Sequence, residues 1–326
     1  MKAIIPMAGA GTRLRPLTYS KPKALLRVGS KPILGHIIDR LQSVGCNELV
    51  LIIGSDGMSI PEYVKRHYPG MKVEIIIQEE QLGLGHAVSL AEPVSVDSEL
   101  IIVYGDSIID CDMKRMVDQS VDGVIAVKEV DDPRQFGVVN HKDGLITRFV
   151  EKPEVPESNL AIIGFNYFRK SETLFECLNE IIEKNIKTKG EFQITDAFQL
   201  MIDRGIKMKP LKVDDWFDAG TPQTLLETNR HLLKKDSNCE RLEGSIIIPP
   251  VYISGSAVIT GSIVGPDVSI GDNVVITRSI ISNSIIDDGA NIVNSCLTGS
   301  LIGDNAEIKG YPAKNAAEDN SIIGFE

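Results

Sequence analysis

The sequence predicts an α/β domain followed by a parallel β-solenoid, and three observations support this prediction. Over about the first 235 residues, near-continuous apolar runs alternate with amphipathic stretches. A polar segment, KKDSNCERLEG, then interrupts the pattern. Beyond it, the chain repeats itself every 16 or 17 residues, as solenoids do. We expect a first domain at 1–235, a linker at 236–244, a solenoid at 245–310 and a C-terminal tail at 311–326.

The first domain is predicted to contain a parallel sheet that helices cover on both faces. Its apolar strands include KAIIPMA, ELVLIIG, VEIIIQ and ELIIVYGD, which are separated by helical patterns such as PILGHIIDRLQSVG. Sheets of this type bind ligands in a crevice at the carboxyl ends of their strands. Further strands are expected at 124–130, 136–140, 145–151 and 161–169, and helices at 171–184, 195–203 and 222–235, the last with Thr221 as its N-cap.

The repeats of the second part place aliphatic residues at three positions in each coil. The repeated units are ISGSAVI, IGDNVVI, IDDGANI and IGDNAEI. One aliphatic series begins these units, and the others are Ile259, Ile276, Ile292 and Ile308, and Val264, Ile281 and Leu297. Three inward-facing aliphatics per coil predict a triangular solenoid in which each coil buries the next. The units resemble the hexapeptide repeats of the left-handed parallel β-helix family, and only this resemblance implies the handedness.

Charge is distributed unevenly along the chain. The net charge is −11 and the pI is about 5.1, so the summed field of the protein repels nucleic acid, which we exclude as a partner. The first 38 residues nevertheless contain no acidic residue, and they can hold a small phosphorylated ligand. Their basic residues are Arg13 and Lys23, which we assign to phosphate binding, and Lys2, Arg15, Lys21, Arg27 and Lys31, which we predict to add to the local positive field or to lie at the surface.

Composition excludes several other classes of protein. No apolar run approaches the roughly 18 residues of a membrane span, and no cleavage site follows the apolar N-terminus. The five cysteines are scattered and form no CxxC pair, which predicts reduced thiols and no zinc site. We therefore expect a cytoplasmic protein that does not contact a membrane.

A glycine-rich loop follows the first strand, in the sequence GAGTRLRPLT. Glycines at this position allow backbone N–H groups to approach a phosphate. The Walker pattern GxxxxGK[ST] is absent, and Leu14 occupies the place of the third glycine of a dinucleotide loop. The loop is accompanied by Arg13 and Lys23, cations that suit the charge of a triphosphate.

The combination of GAGTRLRPLT with SKPKALL resembles the signature of the sugar-1-phosphate nucleotidyltransferases. Further motifs occur in that family's order: Gln78 with Leu82-Gly83, Gly105-Asp106, Phe136-Gly137-Val138, Glu151-Lys152-Pro153, GEFQITD at 190–196, and Trp216 to Thr221. The resemblance covers about residues 1–235. It implies a Rossmann-like nucleotidyltransferase domain with a mainly parallel sheet that uses Mg²⁺.

The resemblance also implies the roles of individual residues, in three groups. The catalytic group would consist of Arg13 and Lys23 on the triphosphate and of Asp106 and Asp218, which would bind Mg²⁺. The nucleotide would be bound by Ala8, Gly9, Gly11, Thr12, Arg13, Gln78 and Gly83. The sugar phosphate would be bound by Gly137, Glu151 and Lys152.

The expected reaction transfers a nucleotidyl group from a pyrimidine triphosphate to a sugar 1-phosphate, giving an NDP-sugar and pyrophosphate. Glucose 1-phosphate is the default sugar, and mixed motifs leave dTTP and UTP open. Two alternatives are a GTP and mannose 1-phosphate pair, and a non-catalytic regulatory or assembly subunit that binds nucleotide sugars. Acetyl transfer by the solenoid is excluded because the last histidine, His231, precedes the repeats. The open ends of the solenoid need covering, either by the tail at 311–326 or by another subunit, and we expect a homo-oligomer.

Overall fold

The computed structural model describes residues 1–238 and 242–310. It divides into two compact units. The first unit is Met1–Leu26 with Lys31–Thr228, and the second joins Arg27–Ser30 to the described residues from Asn229 onward. The predicted tail at 311–326 and the middle of the predicted linker lie outside the described residues. Within the described residues, no helix has both the length and the apolarity that crossing a membrane requires.

Seven α-helices are described, and those predicted from the sequence are present within one or two residues. Thr221 caps the last of them, since its Oγ1 accepts a hydrogen bond from the Thr224 backbone N–H at 3.2 Å. The helices are α1 (Ile33–Gln42), α2 (Ser59–His67), α3 (Leu84–Ser89), α4 (Glu92–Ser95), α5 (Glu172–Glu183), α6 (Ile194–Asp203) and α7 (Pro222–Asp236).

Thirteen strands precede α7. They are β1 (Lys2–Pro6), β2 (Arg27–Val28), β3 (Lys31–Pro32), β4 (Glu48–Ile53), β5 (Lys72–Ile77), β6 (Leu100–Val103), β7 (Ser107–Asp110), β8 (Gly123–Glu129), β9 (Gly137–Lys142), β10 (Leu145–Glu151), β11 (Leu160–Phe168), β12 (Met208–Lys212) and β13 (Asp215–Asp218).

A nine-stranded sheet forms the centre of the first unit. Its order is β10-β9-β11-β6-β1-β4-β5, with β8 paired to β11 and β12 paired to β8. Strands β6, β1, β4 and β5 are parallel, which confirms the Rossmann-like prediction for this half of the sheet. The other half contains β11, which is antiparallel to β6, β8 and β9. The apolar composition of a buried strand carries no information about its direction, so the sequence did not indicate the change from parallel to antiparallel pairing.

One face of the sheet packs against α3, α5 and α6 in a continuous apolar core. Phe175 and Phe198 are fully buried there, together with Ile102 and Ile125 of the sheet. Burying aromatic side chains of this size supplies a large share of the hydrophobic stabilisation. The helix layer fixes the strands in place and thereby the loops that follow their carboxyl ends.

The second unit contains a parallel β-solenoid. Three sheets of four strands run in the orders β14-β17-β20-β23, β15-β18-β21-β24 and β16-β19-β22-β25. The strands are β14 (Ile246–Ile247), β15 (Val251–Ile253), β16 (Val258–Thr260), β17 (Ile263–Val264), β18 (Val268–Ile270), β19 (Val275–Thr277), β20 (Ile280–Ser282), β21 (Ser284–Ile286), β22 (Asn291–Val293), β23 (Cys296–Thr298), β24 (Leu301–Ile302) and β25 (Glu307–Lys309).

In the solenoid, the residues of each predicted aliphatic series lie above one another in successive coils. Ile259 pairs with Ile276, which is followed by Ile292 and Ile308 in the next two coils. Val264, Ile281 and Leu297 stack in the same way. Three all-parallel sheets of this kind confirm the short β-helix that the repeats predicted.

Arg27 contradicts the sequence prediction. We expected a charge that adds to the positive field of the N-terminal segment or lies at the surface, but its side chain is buried, with 8% of the residue exposed. Its Nη2 donates a 2.8 Å hydrogen bond to Oδ1 of Asp288, and both residues belong to the second unit. The prediction is wrong because the partner lies 261 positions further along the chain, where no local pattern connects it to Arg27.

The stacked aliphatics should carry the stability of the solenoid. Replacing Ile276, which is fully buried, by alanine removes apolar contacts and leaves a cavity. We expect Ile276→Ala to lower the free energy of unfolding by about 2–5 kcal/mol, measured by chemical denaturation. Val275→Ala is the matched control on the same strand, because Val275 is 39% exposed. Its effect should stay within about 0.5 kcal/mol, and equal losses in the two variants would contradict an inward-facing stack.

Candidate functional site

The candidate site lies where the neighbouring parallel strands β1 and β6 end. A cleft of about 240 Å³ opens at this edge of the sheet. Its lining includes Met7 and Gly9 after β1, Tyr104 and Asp106 after β6, and Lys23. Carboxyl ends of parallel strands are the usual ligand position in α/β proteins, so the cleft is where the sequence predicted it.

The glycine-rich loop exposes backbone at the rim of the cleft. Gly11 has φ 59°, a left-handed conformation that favours glycine, and its carbonyl accepts a 2.9 Å hydrogen bond from the Thr18 hydroxyl. A side chain at Gly9 would meet no atom within 4 Å, so that position opens to solvent. Thr12 and Arg13 are exposed, and the buried Leu14 fixes the loop to the core. The backbone at positions 9–12 is therefore accessible to a ligand.

Ala8 takes part in the same loop through its carbonyl, which accepts a 2.7 Å hydrogen bond from the Gln81 side chain. Gln81 lies in the segment that also carries Gln78 and Gly83, two residues predicted to contact the nucleotide. This bond connects the glycine-rich loop to that segment.

Asp106 and Asp218 lie next to each other although they are distant in sequence. Strand β13 pairs antiparallel with β7, which puts Asp218 opposite Ser107. The backbone N–H of Ala219 then donates a 3.1 Å hydrogen bond to the carbonyl of Asp106. Burial raises the pKa of Asp218, and the negative charge of Asp106 raises it further, against the opposing charges of Lys23 and Arg13. The two carboxylates are thus close enough to repel each other.

Two cations accompany these carboxylates. Nζ of Lys23 lies 2.6 Å from Oδ2 of Asp106. A Cβ added at Gly220 would lie 2.7 Å from Oδ2 of Asp218 and 3.1 Å from Nη2 of Arg13, so glycine leaves room for both groups. The structure therefore brings together all four side chains predicted to be catalytic. Such a cluster can bind phosphate oxygens and a cation at one place.

A second group of polar residues surrounds Glu151, the last residue of β10. Glu151 lies opposite Gly137 in the β9–β10 hairpin, and its Oε2 accepts a 2.9 Å hydrogen bond from the Thr195 hydroxyl. Lys152 Nζ is 3.6 Å from the other carboxylate oxygen. A Cβ at Gly137 would lie 2.9 Å from Glu151 Oε2, which explains glycine at this position. Burial raises the pKa of Glu151, against the opposing effects of the Thr195 hydrogen bond and of Lys152.

Gln78 and Gly83 form the third predicted group. Gln78 follows β5 and is buried, with Nε2 3.4 Å from Nδ1 of His86. Gly83 has φ 119°, and a Cβ there would lie 2.5 Å from the carbonyl oxygen of Phe192. The Phe192 backbone N–H donates to the carbonyl of Leu82 at 2.9 Å, and its carbonyl accepts from the N–H of Gly85 at 2.8 Å. The motif GEFQITD thus holds the Gly83 loop in place.

Tyr104 belongs to the candidate site although the sequence did not indicate it. It lines the cleft, and its ring packs on Gly164, where an added Cβ would clash with Tyr104 Cγ. Burial raises the pKa of its hydroxyl, and the charges of Glu151 and Asp106 raise it further. The side chain therefore lies near both the carboxylate cluster and the Glu151 group. An aromatic residue at the end of an apolar strand is usually interpreted as part of the core. Only its position directly before Gly105-Asp106 could have indicated the site.

Several known proteins are similar to this chain over 238–254 residues. AglF, a UTP–glucose-1-phosphate uridylyltransferase of Haloferax volcanii, is 34% identical over 240 residues, which are 71% of this chain and 96% of that protein. A glucose-1-phosphate thymidylyltransferase of Streptomyces antibioticus is 32% identical over 254 residues, covering 76% of this chain and 69% of the relative. The bifunctional protein GlmU of Methanocaldococcus jannaschii is 38% identical over 238 residues, covering 72% of this chain and 55% of the relative.

A solved structure shows the same similarity. A Bacillus anthracis protein assigned as a glucose-1-phosphate thymidylyltransferase superposes with a TM-score of 0.63 at 27% identity, covering 74% of this chain and 98% of that one. Residues 2–235 match the nucleotidyl transferase family. The chain therefore belongs to the nucleotidyl transferase family and is an enzyme of the nucleotidyltransferase class.

Proposed function

We propose that this sugar-1-phosphate nucleotidyltransferase transfers the nucleotidyl group of dTTP or UTP to glucose 1-phosphate with the help of Mg²⁺. The products are an NDP-glucose and pyrophosphate. One observation carries the proposal: Asp106 and Asp218 adjoin Lys23 and Arg13 at the ends of β6 and β13. Nucleotidyl transfer requires mainly positioning and neutralisation of phosphate charge, and these four side chains can provide both.

The carboxylate pair fits a magnesium ion. Mg²⁺ prefers oxygen ligands and uses one or two protein carboxylates, with waters and substrate phosphates as its other ligands. The pKa of Asp218 is raised partly by Asp106, so a divalent cation between the two would relieve a repulsion already present in the protein. When bound, the ion would neutralise charge on the phosphates.

Lys23 and Arg13 would act on the triphosphate directly. Lys23 contacts Asp106 from a side chain that is 15% exposed, a position from which it can also reach a phosphate in the cleft. Arg13 is exposed on the turn of the glycine-rich loop, beside Asp218. We assign Arg13 to the phosphates that depart as pyrophosphate. Ala8, Gly9, Gly11 and Thr12 would supply backbone contacts along the same loop.

The sugar and base assignments rest on the other two groups of residues. Glu151 would accept hydrogen bonds from sugar hydroxyls, Lys152 would bind the sugar phosphate, and Gly137 would leave space for the sugar. Gln78 would bind the pyrimidine edge, since its amide both donates and accepts, and Gly83 would admit the base. Two of the relatives are named for glucose 1-phosphate, which supports this sugar, while one is named for uridylyl and the other for thymidylyl transfer. A single methyl group separates the two bases and is worth about 1–3 kcal/mol.

The reaction can be tested with purified protein, Mg²⁺, each of five NTPs and several sugar 1-phosphates, with detection of released pyrophosphate. We expect the highest turnover with glucose 1-phosphate and either dTTP or UTP. Highest turnover with GTP and mannose 1-phosphate would identify these two compounds as the substrates in place of the proposed pair. Absence of pyrophosphate from every pair would contradict the proposed function.

The roles of the two aspartates can be tested by removing one charge at a time. Asp106→Asn and Asp218→Asn should each lower kcat by at least about 100-fold. Each variant weakens the binding of Mg²⁺, which would neutralise the negative charge of the nucleotide phosphates during the reaction. Each should leave the melting temperature within about 2 °C of wild type. Asp203→Asn is the control, since Asp203 is an exposed carboxylate at the end of α6. Loss of folding in both site variants would assign the pair a structural role instead.

Glu151 provides a test of the trade-off between stability and binding. Its pKa is raised mainly by burial, so the ionised form is disfavoured in the folded protein. This penalty is absent below the unfolded pKa of about 4.3, appears as pH rises through that value, and is complete above the folded pKa. Glu151→Gln should therefore raise the melting temperature at pH 7 by about 2 °C and raise KM for the sugar phosphate.

The temperature difference between Glu151→Gln and wild type should narrow as pH falls towards about 4. Calorimetry over this pH range measures it directly. A lower melting temperature for the variant at pH 7 would mean that the contacts with Thr195 and Lys152 outweigh the burial of the charge.

A further inference from the structure

Strand β11 contains one buried amide among apolar residues. Asn166 is fully buried, and it lies in the strand LAIIGFNYF, whose other side chains are apolar apart from the Tyr167 hydroxyl. Neither amide atom of Asn166 has a hydrogen-bond partner of good geometry in the part of the chain that the structure describes. A buried amide without partners costs stability, so its presence in the core requires an explanation.

The register of the sheet places Asn166 beside Tyr104. Asn166 pairs with Ile102 of the neighbouring strand β6, and Tyr104 directly follows that strand. The Tyr104 backbone N–H donates a 2.8 Å hydrogen bond to the carbonyl of Gly164, which continues the pairing. Residues two apart on a strand share a face of the sheet, and cross-strand partners share a face as well. Asn166 and Tyr104 therefore lie on the same face as diagonal neighbours.

A glycine gives the ring of Tyr104 its place on β11. Gly164 has φ 81° and lies where the pairing of β11 with β8 shifts, between Ile162 and Asn166. An added Cβ at Gly164 would lie 2.8 Å from Tyr104 Cβ and would clash with the ring. Such irregularities turn side chains into new directions and are common beside active sites. The ring thus packs on the backbone of Gly164 while part of Tyr104 lines the cleft.

The hydroxyl of Tyr104 lies near both the Asn166 amide and the carboxylates of the site. Burial raises the pKa of this hydroxyl, the charges of Glu151 and Asp106 raise it further, and the Asn166 amide lies close enough to lower it. A phenol and an amide can each donate and accept, so the two groups can satisfy each other in the core. Their contact would hold the ring in one orientation at the edge of the cleft.

We propose that the ring of Tyr104 forms the apolar floor of the sugar site and that Asn166 is the positioning residue that holds this ring. The inference rests on the proposed function of the site. Tyr104 lies near Asp106, assigned to the ion, and near Glu151, assigned to the sugar hydroxyls, so the sugar 1-phosphate must pass over it. A sugar ring presents C–H groups on its faces, and an aromatic ring offers them an apolar surface. Asn166 itself is fully buried and touches no substrate.

A double-mutant cycle on the full-length protein tests the positioning role. Rates of pyrophosphate release are measured for wild type, Tyr104→Phe, Asn166→Leu and the double variant, with glucose 1-phosphate and the accepted nucleotide varied in turn. Each single variant should raise KM for glucose 1-phosphate by about fivefold, the value of one hydrogen bond, and should leave KM for the nucleotide within about twofold of wild type. The double variant should differ from either single variant by less than about twofold. Multiplied effects of the two changes would overturn the positioning role.

The contact between the ring and the sugar has its own test. Tyr104→Leu removes the ring and should raise KM for glucose 1-phosphate more than Tyr104→Phe does, again with little change for the nucleotide. An effect no larger than that of Tyr104→Phe would overturn the sugar contact.

Melting temperatures distinguish positioning from a purely structural role. Leucine has the branched shape of asparagine without its polar atoms, so Asn166→Leu should keep or raise the melting temperature while it raises KM for glucose 1-phosphate. A lower melting temperature with unchanged KM values would mean that Asn166 serves stability alone. Should Asn166→Leu fail to fold, Asn166→Ala takes its place in the same cycle.

Tyr167→Phe is the matched control. Tyr167 is fully buried on the same strand, and its hydroxyl donates a 2.6 Å hydrogen bond to Glu99. Tyr167→Phe should lower the melting temperature and leave both KM values unchanged, and an equal rise of KM for glucose 1-phosphate would overturn the proposal. Wild-type protein without pyrophosphate release from any substrate pair would contradict the proposed function. Active wild type with unchanged KM values in Tyr104→Phe and Asn166→Leu would contradict only the positioning role.

Discussion

The contact between Lys23 and Asp106, 2.6 Å long at the carboxyl end of β6, is the interaction around which the candidate site is organised. Asp106 also faces Asp218, and two carboxylates in a partly buried position are unfavourable without cations. Lys23 supplies one positive charge and Arg13 another. The glycine-rich loop, the β7–β13 pair and Gly220 all serve to bring these groups together.

The buried carboxylates of the candidate site lower the stability of the folded protein when no substrate is bound. The pKa values of Asp218 and Glu151 are both raised mainly by burial, so each carboxylate is less favourable in the folded protein than in water. Hydrophobic packing of the sheet against α3, α5 and α6 offsets that cost. Bound metal and sugar hydroxyls would then meet groups whose hydration has already been removed.

Much of the fold and most of the site could be predicted from the sequence. Buried parallel strands and solenoid repeats leave periodic apolar patterns, and the ordered motifs located all four charged residues of the cluster. The antiparallel half of the sheet could not be predicted because β11 is apolar along its whole length whichever way it runs. The burial of Arg27 and the position of Tyr104 depend on contacts between residues far apart in sequence, which no local pattern records.

Asp106 and Asp218 would together hold a divalent cation beside the triphosphate. Mn²⁺ suits the same oxygen ligands as Mg²⁺, and electron paramagnetic resonance detects its binding. Titration of Mn²⁺ in the presence of dTTP or UTP should show a tightly held ion on the wild-type protein, and its loss in the double variant Asp106→Asn with Asp218→Asn. Undiminished binding of the ion and nucleotide by that double variant would show that the two carboxylates do not hold the ion.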